Sequence, residues 1–373
     1  MWSITKKYLL HIEPSTVCNA ACPLCPRYVM SSKRVRDDLD LRSISYDQYI
    51  KWFPATFIKE QVSRIMLCGN QGDPFAAKDI DKIIKYSIDN LDDTASFIAH
   101  SNGGLRDTAL WSEIGSYVQG DPYARYVFFS IDGLKDTNHL YRRNVRWEKL
   151  IDNAKAYIDA GGNAVWDLLV FKHNEHQIEE IQSYAKSLGF HRVRIKRPDG
   201  FYFNNQLHKR GVYDATGNLE YTIEASSISE YANAPVNTPR NNRLPSSLID
   251  LNYKDDTISD YKSYIEFENH CINCKSMHEW GAEVMISSDG LVLPCCYIGE
   301  MWTSKRNESA RIQLINLFDT DNMHLDKVSF IDIMTYFDNV VVPTWEKNTY
   351  ADGKLLYCSR FCGQNSQMDR LIV

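Results

Sequence analysis

The sequence lacks the features that define several protein classes. It has no apolar run near the roughly 18 residues that a membrane-spanning helix needs, and its first residues lack the apolar stretch of a secretory signal. The formal net charge is −6, so we expect no broad positive surface for nucleic acid. There is no internal repeat and no low-complexity tract. These absences predict a cytoplasmic protein with no membrane partner and no nucleic-acid partner.

The 373 residues are 44% hydrophobic and 24% charged, which is ordinary for a globular protein. This length suits two domains, or one large domain with an appendage. The chain has ten cysteines, and in a chain without a secretory signal these read as metal ligands rather than disulfides. Three lie within residues 18–25 and six lie from residue 271 onward, with Cys68 alone between the groups.

From Tyr8 to about Lys196, strand patterns alternate with helix patterns, such as a predicted helix over Ser45–Phe57. Gly189 is predicted to end the last of these helices. The alternation predicts an α/β fold with a parallel sheet, either a partial (β/α)6 TIM-like barrel or a doubly wound open sheet. From about Pro198 to Asn269 the pattern breaks down, which predicts a linker with loop elements. The predicted domains are therefore residues 1–197, a linker at 198–269, and a small cysteine-containing domain at 270–373.

Cys18, Cys22 and Cys25 supply three thiolates within eight residues, at the spacing C-x3-C-x2-C. A cubane of four irons normally takes four thiolates, so three close ligands indicate a cluster with one iron left open. A zinc site would require a second C-x2-C pair or histidines at set spacing. A disulfide scaffold is not expected in so long a chain without a signal peptide.

The cysteine triplet resembles the signature of the radical S-adenosylmethionine (radical SAM) superfamily. The resemblance implies a [4Fe–4S] cluster on Cys18, Cys22 and Cys25 whose open iron chelates S-adenosylmethionine (SAM). One-electron reduction then gives methionine and a 5′-deoxyadenosyl radical, which takes a hydrogen atom from the substrate. It also implies the partial barrel fold and a reductant of the flavodoxin or ferredoxin type.

Further segments resemble the SAM-binding segments of this superfamily. Gly72 and Asp73 match a Gly-Gly-Glu-Pro segment, although Gln71 replaces a glycine and Asp73 replaces the glutamate. Arg143 matches an arginine that approaches the SAM carboxylate, and Arg142 is its neighbouring rival. The resemblance implies SAM contacts from Leu24, Gly72, Asp73, Asn102, Ser130, Asp132, Arg143 and Val170.

The C-terminal cysteines resemble a second constellation, the SPASM/twitch extension of radical SAM enzymes. A β-hairpin is predicted with Asp289-Gly290 as its turn, and it would bring Cys295 back towards Cys274. The resemblance implies one auxiliary [4Fe–4S] cluster, with Cys274, Cys295, Cys358 and Cys362 as ligands and Cys271 as the rival ligand. A zinc site built from the same cysteines is the alternative.

An auxiliary cluster suits a reaction in which an electron leaves the substrate radical, so an oxidation is expected. Because the first motif cysteine is residue 18, we expect no leader-binding domain before the barrel. This favours a small-molecule substrate of the amino sugar or amino acid type. The alternatives are a peptide-modifying maturase that forms a crosslink or an epimer, and an iron–sulfur or zinc protein that binds a partner without turnover.

Overall fold

The structure is a computed structural model that describes residues 1–4, 7–198, 201–203, 206–231, 271–278, 281–304, 308–349 and 351–363. The chain divides into two compact units. The N-terminal unit is Leu9–Ala234, and the C-terminal unit is Met1–Tyr8 with Pro235–Val373. The domain limits predicted from the sequence stay predictions.

Six strands that follow one another in chain order within one sheet form the centre of the N-terminal unit. Its strands are β1 (Tyr8–Ile12), β2 (Val62–Leu67), β3 (Ser96–Ser101), β4 (Arg125–Ser130), β5 (Ala164–Leu169) and β6 (Arg192–Lys196). The pairs from β2/β3 to β5/β6 are all parallel. A doubly wound sheet reverses its strand order at a switch point, whereas this order runs without reversal. The prediction of an α/β partial (β/α)6 barrel is therefore confirmed.

The helices of this unit pack on one face of the sheet. They are α1 (Tyr46–Trp52), α2 (Ala55–Gln61), α3 (Ile80–Asn90), α4 (Thr108–Tyr117), α5 (Asn138–Tyr141), α6 (Trp147–Asp159) and α7 (Ile178–Ser187). Trp111 of α4 lies 4.9 Å from the ring of Phe129 on β4, and Tyr184 of α7 lies 6.3 Å from Trp166 on β5. Since side chains alternate along a strand, the neighbours of Phe129 and Trp166 face away from the helices. We call that second side the inner face.

Two local predictions have different outcomes. The single helix predicted over Ser45–Phe57 is wrong, because the structure has α1 and α2 with Pro54 between them. Proline disfavours helical backbone in the residue before it, and the backbone of Phe53 is not helical. The prediction for Gly189 is confirmed: its φ is +89°, and the next residue donates its N–H to Ala185 O at 3.0 Å, as in a Schellman cap.

The region after β6 contains short hairpins where the sequence suggested loops. Strands β7 (Tyr202–Phe203) and β8 (Gln206–Leu207) pair antiparallel. Strands β9 (Arg210–Tyr213) and β10 (Leu219–Ile223) form a second antiparallel pair. Residues 232–270 of the predicted linker lie outside the described residues.

The C-terminal unit combines a small antiparallel sheet with helices. Its elements are β11 (Met277–His278), β12 (Gly281–Ile286), β13 (Val292–Leu293), α8 (Cys296–Ser304), α9 (Glu308–Leu317), α10 (Phe330–Val340), α11 (Val342–Trp345) and α12 (Leu356–Cys362). Met285 of β12 pairs with Leu293 of β13 across the turn that contains Gly290, so the predicted hairpin is confirmed. Within the described ranges, no helix has the length and apolar character that crossing a membrane requires. Cytoplasmic localisation stays a prediction.

Candidate functional site

The loop after β1 carries the cysteine triplet. Cys22 is buried, and Cys18 and Cys25 are half-buried. The backbone N–H of Cys25 donates to Cys22 O at 3.0 Å, which folds the two thiols into one turn. Arg27, just after the triplet, donates to the carbonyls of Thr16 and Gln71, the latter at 2.7 Å. The loop is therefore anchored at its base to the segment after β2.

Two side chains from other strand ends donate hydrogen bonds to the triplet sulfurs. Asn102, after β3, places its Nδ2 3.5 Å from Cys18 Sγ. Arg142, after α5, places its Nη1 3.7 Å from Cys22 Sγ. Hydrogen bonds to sulfur are among the factors that set the reduction potential of iron–sulfur clusters.

The electrostatics of the triplet fit a metal cluster. Burial raises the pKa of the Cys22 thiol, and burial together with Asp73 and Cys22 raises that of Cys18. Burial, with all three cysteines adding to it, also raises the pKa of Tyr28 to about 12, so the three sulfurs surround one phenol. Buried thiols of this kind become thiolates when a bound metal core supplies positive charge.

The segment after β2 approaches the cysteine loop closely. A side chain at Gly72 would collide with the backbone carbonyl of Ser15, so this position requires glycine. The buried Asp73 carboxylate accepts from the N–H groups of Phe75 and Asn102, at 3.0 and 2.8 Å, and from the Ser101 hydroxyl at 3.1 and 3.2 Å. The hydroxyl has a single proton, so Asp73 accepts from three donors in all. Asp73 thus connects the ends of β2 and β3.

The remaining predicted SAM contacts lie at strand ends of the same unit. Ser130 ends β4 and is half-buried, while Asp132 and Val170 are buried just beyond β4 and β5. Leu24, in the cysteine loop, is half-buried. The carboxyl ends of parallel strands are the ligand-binding side of barrels.

The two neighbouring arginines point to different partners. Arg142 donates from Nε to Asp132 Oδ2 at 2.6 Å, beside Cys22. Arg143 is ion-paired with Glu220 of β10 and donates to Tyr213 O at 3.0 Å. The resemblance alone favoured Arg143, but Arg142 is the one that contacts a predicted cluster ligand.

A charged group on the inner face was not identified from the sequence. Asp167 of β5 is ion-paired with Arg194 and Lys196 of β6, each at 2.7 Å. Burial raises the pKa of Asp167, but the two cations outweigh it and lower that pKa to about 2. Burial lowers the pKa of His100, on β3, to about 3. The Arg-x-Arg-x-Lys alternation of β6 was the sequence signal for this group.

Within the C-terminal unit, four cysteines line one cavity. They are Cys274, Cys295, Cys358 and Cys362, which come from the segment before β11, the end of the hairpin, and α12. Cys271 is exposed and does not line this cavity. Trp2, which is 1% exposed, forms part of the cavity wall.

The four thiols interact with one another. Cys274 donates to Cys362, which raises the pKa of Cys274 and lowers that of Cys362 to about 7. Burial, helped by Cys362, raises the pKa of Cys358 to about 12, and burial raises that of Cys295. Four converging sulfurs, one already favouring the thiolate, fit a tetrathiolate metal site.

A partial barrel with three cysteines after its first strand defines the class of this chain. Residues 12–185 match the family model of the radical SAM superfamily. Residues 12–185 therefore form a radical SAM domain. None of the curated proteins matches the sequence.

Solved structures share the fold at low sequence identity. Streptococcus suis SuiB bound to S-adenosylmethionine is 16% identical, with 95% of this chain and 72% of that chain covered at a TM-score of 0.51. SuiB bound to its precursor peptide SuiA is 16% identical, with 95% and 70% covered and a TM-score of 0.51. A histidine-tagged anSMEcpe with bound AdoMet is 13% identical, with 91% and 81% covered and a TM-score of 0.50.

Proposed function

We propose that this chain is a radical SAM enzyme that oxidises a small substrate bearing a carboxylate, of the amino acid type. The observation that carries the proposal is the cysteine loop after β1, in which Cys22 and Cys18 accept hydrogen bonds from Arg142 and Asn102. Hydrogen bonds to the ligand sulfurs are one of the factors that set the reduction potential of an iron–sulfur cluster.

Cys18, Cys22 and Cys25 would hold a [4Fe–4S] cluster. Such a cluster supplies the electron that cleaves SAM to methionine and a 5′-deoxyadenosyl radical, which removes a hydrogen atom from the substrate. The chain positions the two reactants and excludes water from the reacting atoms. The electron comes from a reductant of the flavodoxin or ferredoxin type.

The SAM contacts are proposed with roles that follow their positions. Gly72 keeps the backbone after β2 close to the cysteine loop, and Asp73 positions Asn102. Ser130 lies on the inner face, beside Asp167 in the β4/β5 register. Leu24, Asp132, Arg143 and Val170 complete the proposed set.

Cys274, Cys295, Cys358 and Cys362 would hold one auxiliary [4Fe–4S] cluster. Such a cluster supplies an acceptor for the electron that a substrate radical releases together with a proton. With this acceptor, the electrons of a substrate oxidation are accounted for. The cysteine-lined cavity therefore favours an oxidation over a redox-neutral reaction. Zinc bound to the same four sulfurs is the competing assignment.

The inner-face cations support a substrate that carries an anionic group. Arg194 and Lys196 both form ion pairs with the carboxylate of Asp167. Their side chains are 23% and 30% exposed, so a ligand can reach them. This feature favours an amino acid over an amino sugar.

A peptide substrate is the second candidate. SuiB, which shares this fold, has been solved with a precursor peptide. A peptide also presents carboxylates, so the inner-face cations suit it too. Peptide and free amino acid substrates would be distinguished by testing both against the same reconstituted protein.

The central experiment is anaerobic reconstitution with iron and sulfide, followed by SAM and dithionite. We expect 5′-deoxyadenosine, and roughly eight irons per chain if both sites hold clusters. A fully loaded protein that forms no 5′-deoxyadenosine above background and does not bind SAM in calorimetry would instead be a non-catalytic iron–sulfur protein. Four irons together with zinc would assign the C-terminal site to zinc.

A further inference from the structure

Arg142 connects a cluster ligand to a buried carboxylate. Its Nη1 lies 3.7 Å from Cys22 Sγ, while its Nε donates to Asp132 Oδ2 at 2.6 Å. The Arg142 side chain is 16% exposed and that of Asp132 is 0% exposed. The positive charge of the Arg142 guanidinium therefore lies next to Cys22 Sγ in a largely buried environment.

Asp132 is itself fixed on several sides. Its Oδ1 accepts the N–H of Leu169 at 2.7 Å. Its backbone N–H donates to Asn138 Oδ1 at 2.8 Å, and its backbone carbonyl accepts from Asn174 Nδ2 at 2.9 Å. A carboxylate anchored to β5 and α5 in this way gives the guanidinium a fixed position rather than a choice of rotamers.

Cys22 and Cys18 differ in the charge of their hydrogen-bond donors. At Cys18, the donors are the neutral amide of Asn102 and the backbone N–H of Ala20, at 3.5 and 3.4 Å. The adjacent Arg143 is engaged with Glu220. Cys22 thus has a cationic donor, and Cys18 has neutral ones.

We propose that Arg142 is a positioning residue that raises the reduction potential of the SAM cluster through its N–H···S contact with Cys22, and that Asp132 fixes it there. The inference rests on the cluster site of the proposed function. Reduction adds one electron to the cluster from a low-potential donor, without making or breaking a covalent bond. A cationic hydrogen-bond donor stabilises the added negative charge, and burial strengthens the effect.

The test is a potentiometric titration with dithionite and mediators, followed by EPR, on the reconstituted full chain. The signal that changes when SAM is added belongs to the SAM cluster. The variants are Arg142→Gln, Arg142→Lys and the double variant Arg142→Gln/Asp132→Asn, which avoids leaving an unpaired buried carboxylate. Lys135→Gln is the control, because it removes one positive charge from the same unit at an exposed ion pair with Glu148.

At the midpoint potential of the wild-type cluster, the ratio of reduced to oxidised cluster should fall about tenfold in Arg142→Gln and in the double variant. For a one-electron couple this is about 59 mV. Arg142→Lys keeps the charge but not the planar fork. Its ratio of reduced to oxidised cluster should lie between those of these two variants and that of the wild type. Lys135→Gln should match the wild type.

Unchanged potentials in Arg142→Gln and the double variant, at full iron content, would overturn the inference. So would failure of all three Arg142 variants to load the cluster while Lys135→Gln loads it, because Arg142 would then act in assembly. A wild-type protein that holds a cluster but does not cleave SAM would refute the proposed function and leave the potential measurement interpretable.

Discussion

The guanidinium of Arg143 forms an ion pair with the carboxylate of Glu220, across the interval between α5 and β10. The sequence resemblance implied that Arg143 grips the carboxylate of SAM. Two carboxylates would then compete for one guanidinium, whose planar fork suits a single bidentate partner. Glu220 is thus placed to regulate how tightly Arg143 can hold a ligand.

If Arg143 binds SAM, Glu220→Gln should tighten SAM binding, because it removes the competing charge. Arg143→Gln should weaken binding by about tenfold, the loss expected for a hydrogen bond to a charged group. Both effects are measured by calorimetry on anaerobically reconstituted protein. Lys33→Gln is the matched control, since Lys33 pairs with the same Glu220 at 3.3 Å from an exposed position. Equal affinities for all these proteins would remove Arg143 from the SAM site.

The ligand set of the C-terminal site is tested by counting metal. Cys295→Ser and Cys358→Ser should each reduce the iron content from roughly eight to roughly four per chain, because each removes a sulfur from the cavity. Cys271→Ser should keep the full content, because Cys271 is exposed and lies outside the cavity wall. Iron, zinc and sulfide are measured by elemental and colorimetric analysis. If Cys271→Ser lost four irons, Cys271 would be a ligand in place of one of the four cavity cysteines.

Trp2 should protect the same site from air. Its backbone N–H donates to Asp338 Oδ1 at 2.7 Å, and its ring lies 5.7 Å from Trp345, another residue of the cavity wall. Trp2→Ala removes this wall, so the auxiliary absorbance should bleach several-fold faster in oxygen. The control is Ser3→Ala, which loses the hydroxyl contact with Asp338 but keeps the indole. Equal bleaching rates in both variants would contradict a shielding role.

The buried Glu13 should make the free energy of unfolding depend on pH. Burial raises its pKa from 4.5 to about 7, although His11 and hydrogen bonds from Asn70 and Gln71 oppose the shift. Because the folded state binds this proton more tightly than the unfolded state, the free energy of unfolding should fall as pH rises from about 4.5 to about 7. The cost at pH 8 is about 3.5 kcal/mol at most, from about 1.4 kcal/mol per pKa unit.

Glu13→Gln should therefore be more stable than the wild type at pH 8 and equal to it near pH 4.5. Urea midpoints of the metal-free, reduced chain at the two pH values measure the difference. The exposed Glu148→Gln serves as the control, because its pKa is lowered by Lys135 rather than raised. A Glu13→Gln difference that is the same at both pH values would show that charge is not the cause.

The sequence predicts the barrel well because its signals are local. The strand and helix alternation predicted from Tyr8 to about Lys196 is present in the structure. The break at Pro54 was also present as a local signal, since proline restricts the residue before it. Loop hairpins such as β9/β10 were missed because strands of four and five residues with few buried positions give too little periodicity.

The site was predictable in its residue types but not in its pairings. Cysteine spacing identified the four residues around the C-terminal cavity, because the hairpin turn fixes where Cys295 returns. The sequence did not decide between Arg142 and Arg143. Adjacent side chains of the same type differ only in the partners that they meet in the tertiary structure. Arg194 and Lys196 were missed because cations on a strand are significant only when that strand is known to face a cavity.

The contact between Cys274 and Cys362 has a consequence for handling the protein. A thiolate next to a thiol is ready to form a disulfide when an oxidant takes two electrons from the pair. Air that strips the metal would then lock the emptied cavity shut. Reconstitution would require reduction of this disulfide by a dithiol reagent before iron is added. Protein purified in air would therefore bind less metal than the fully reduced chain can.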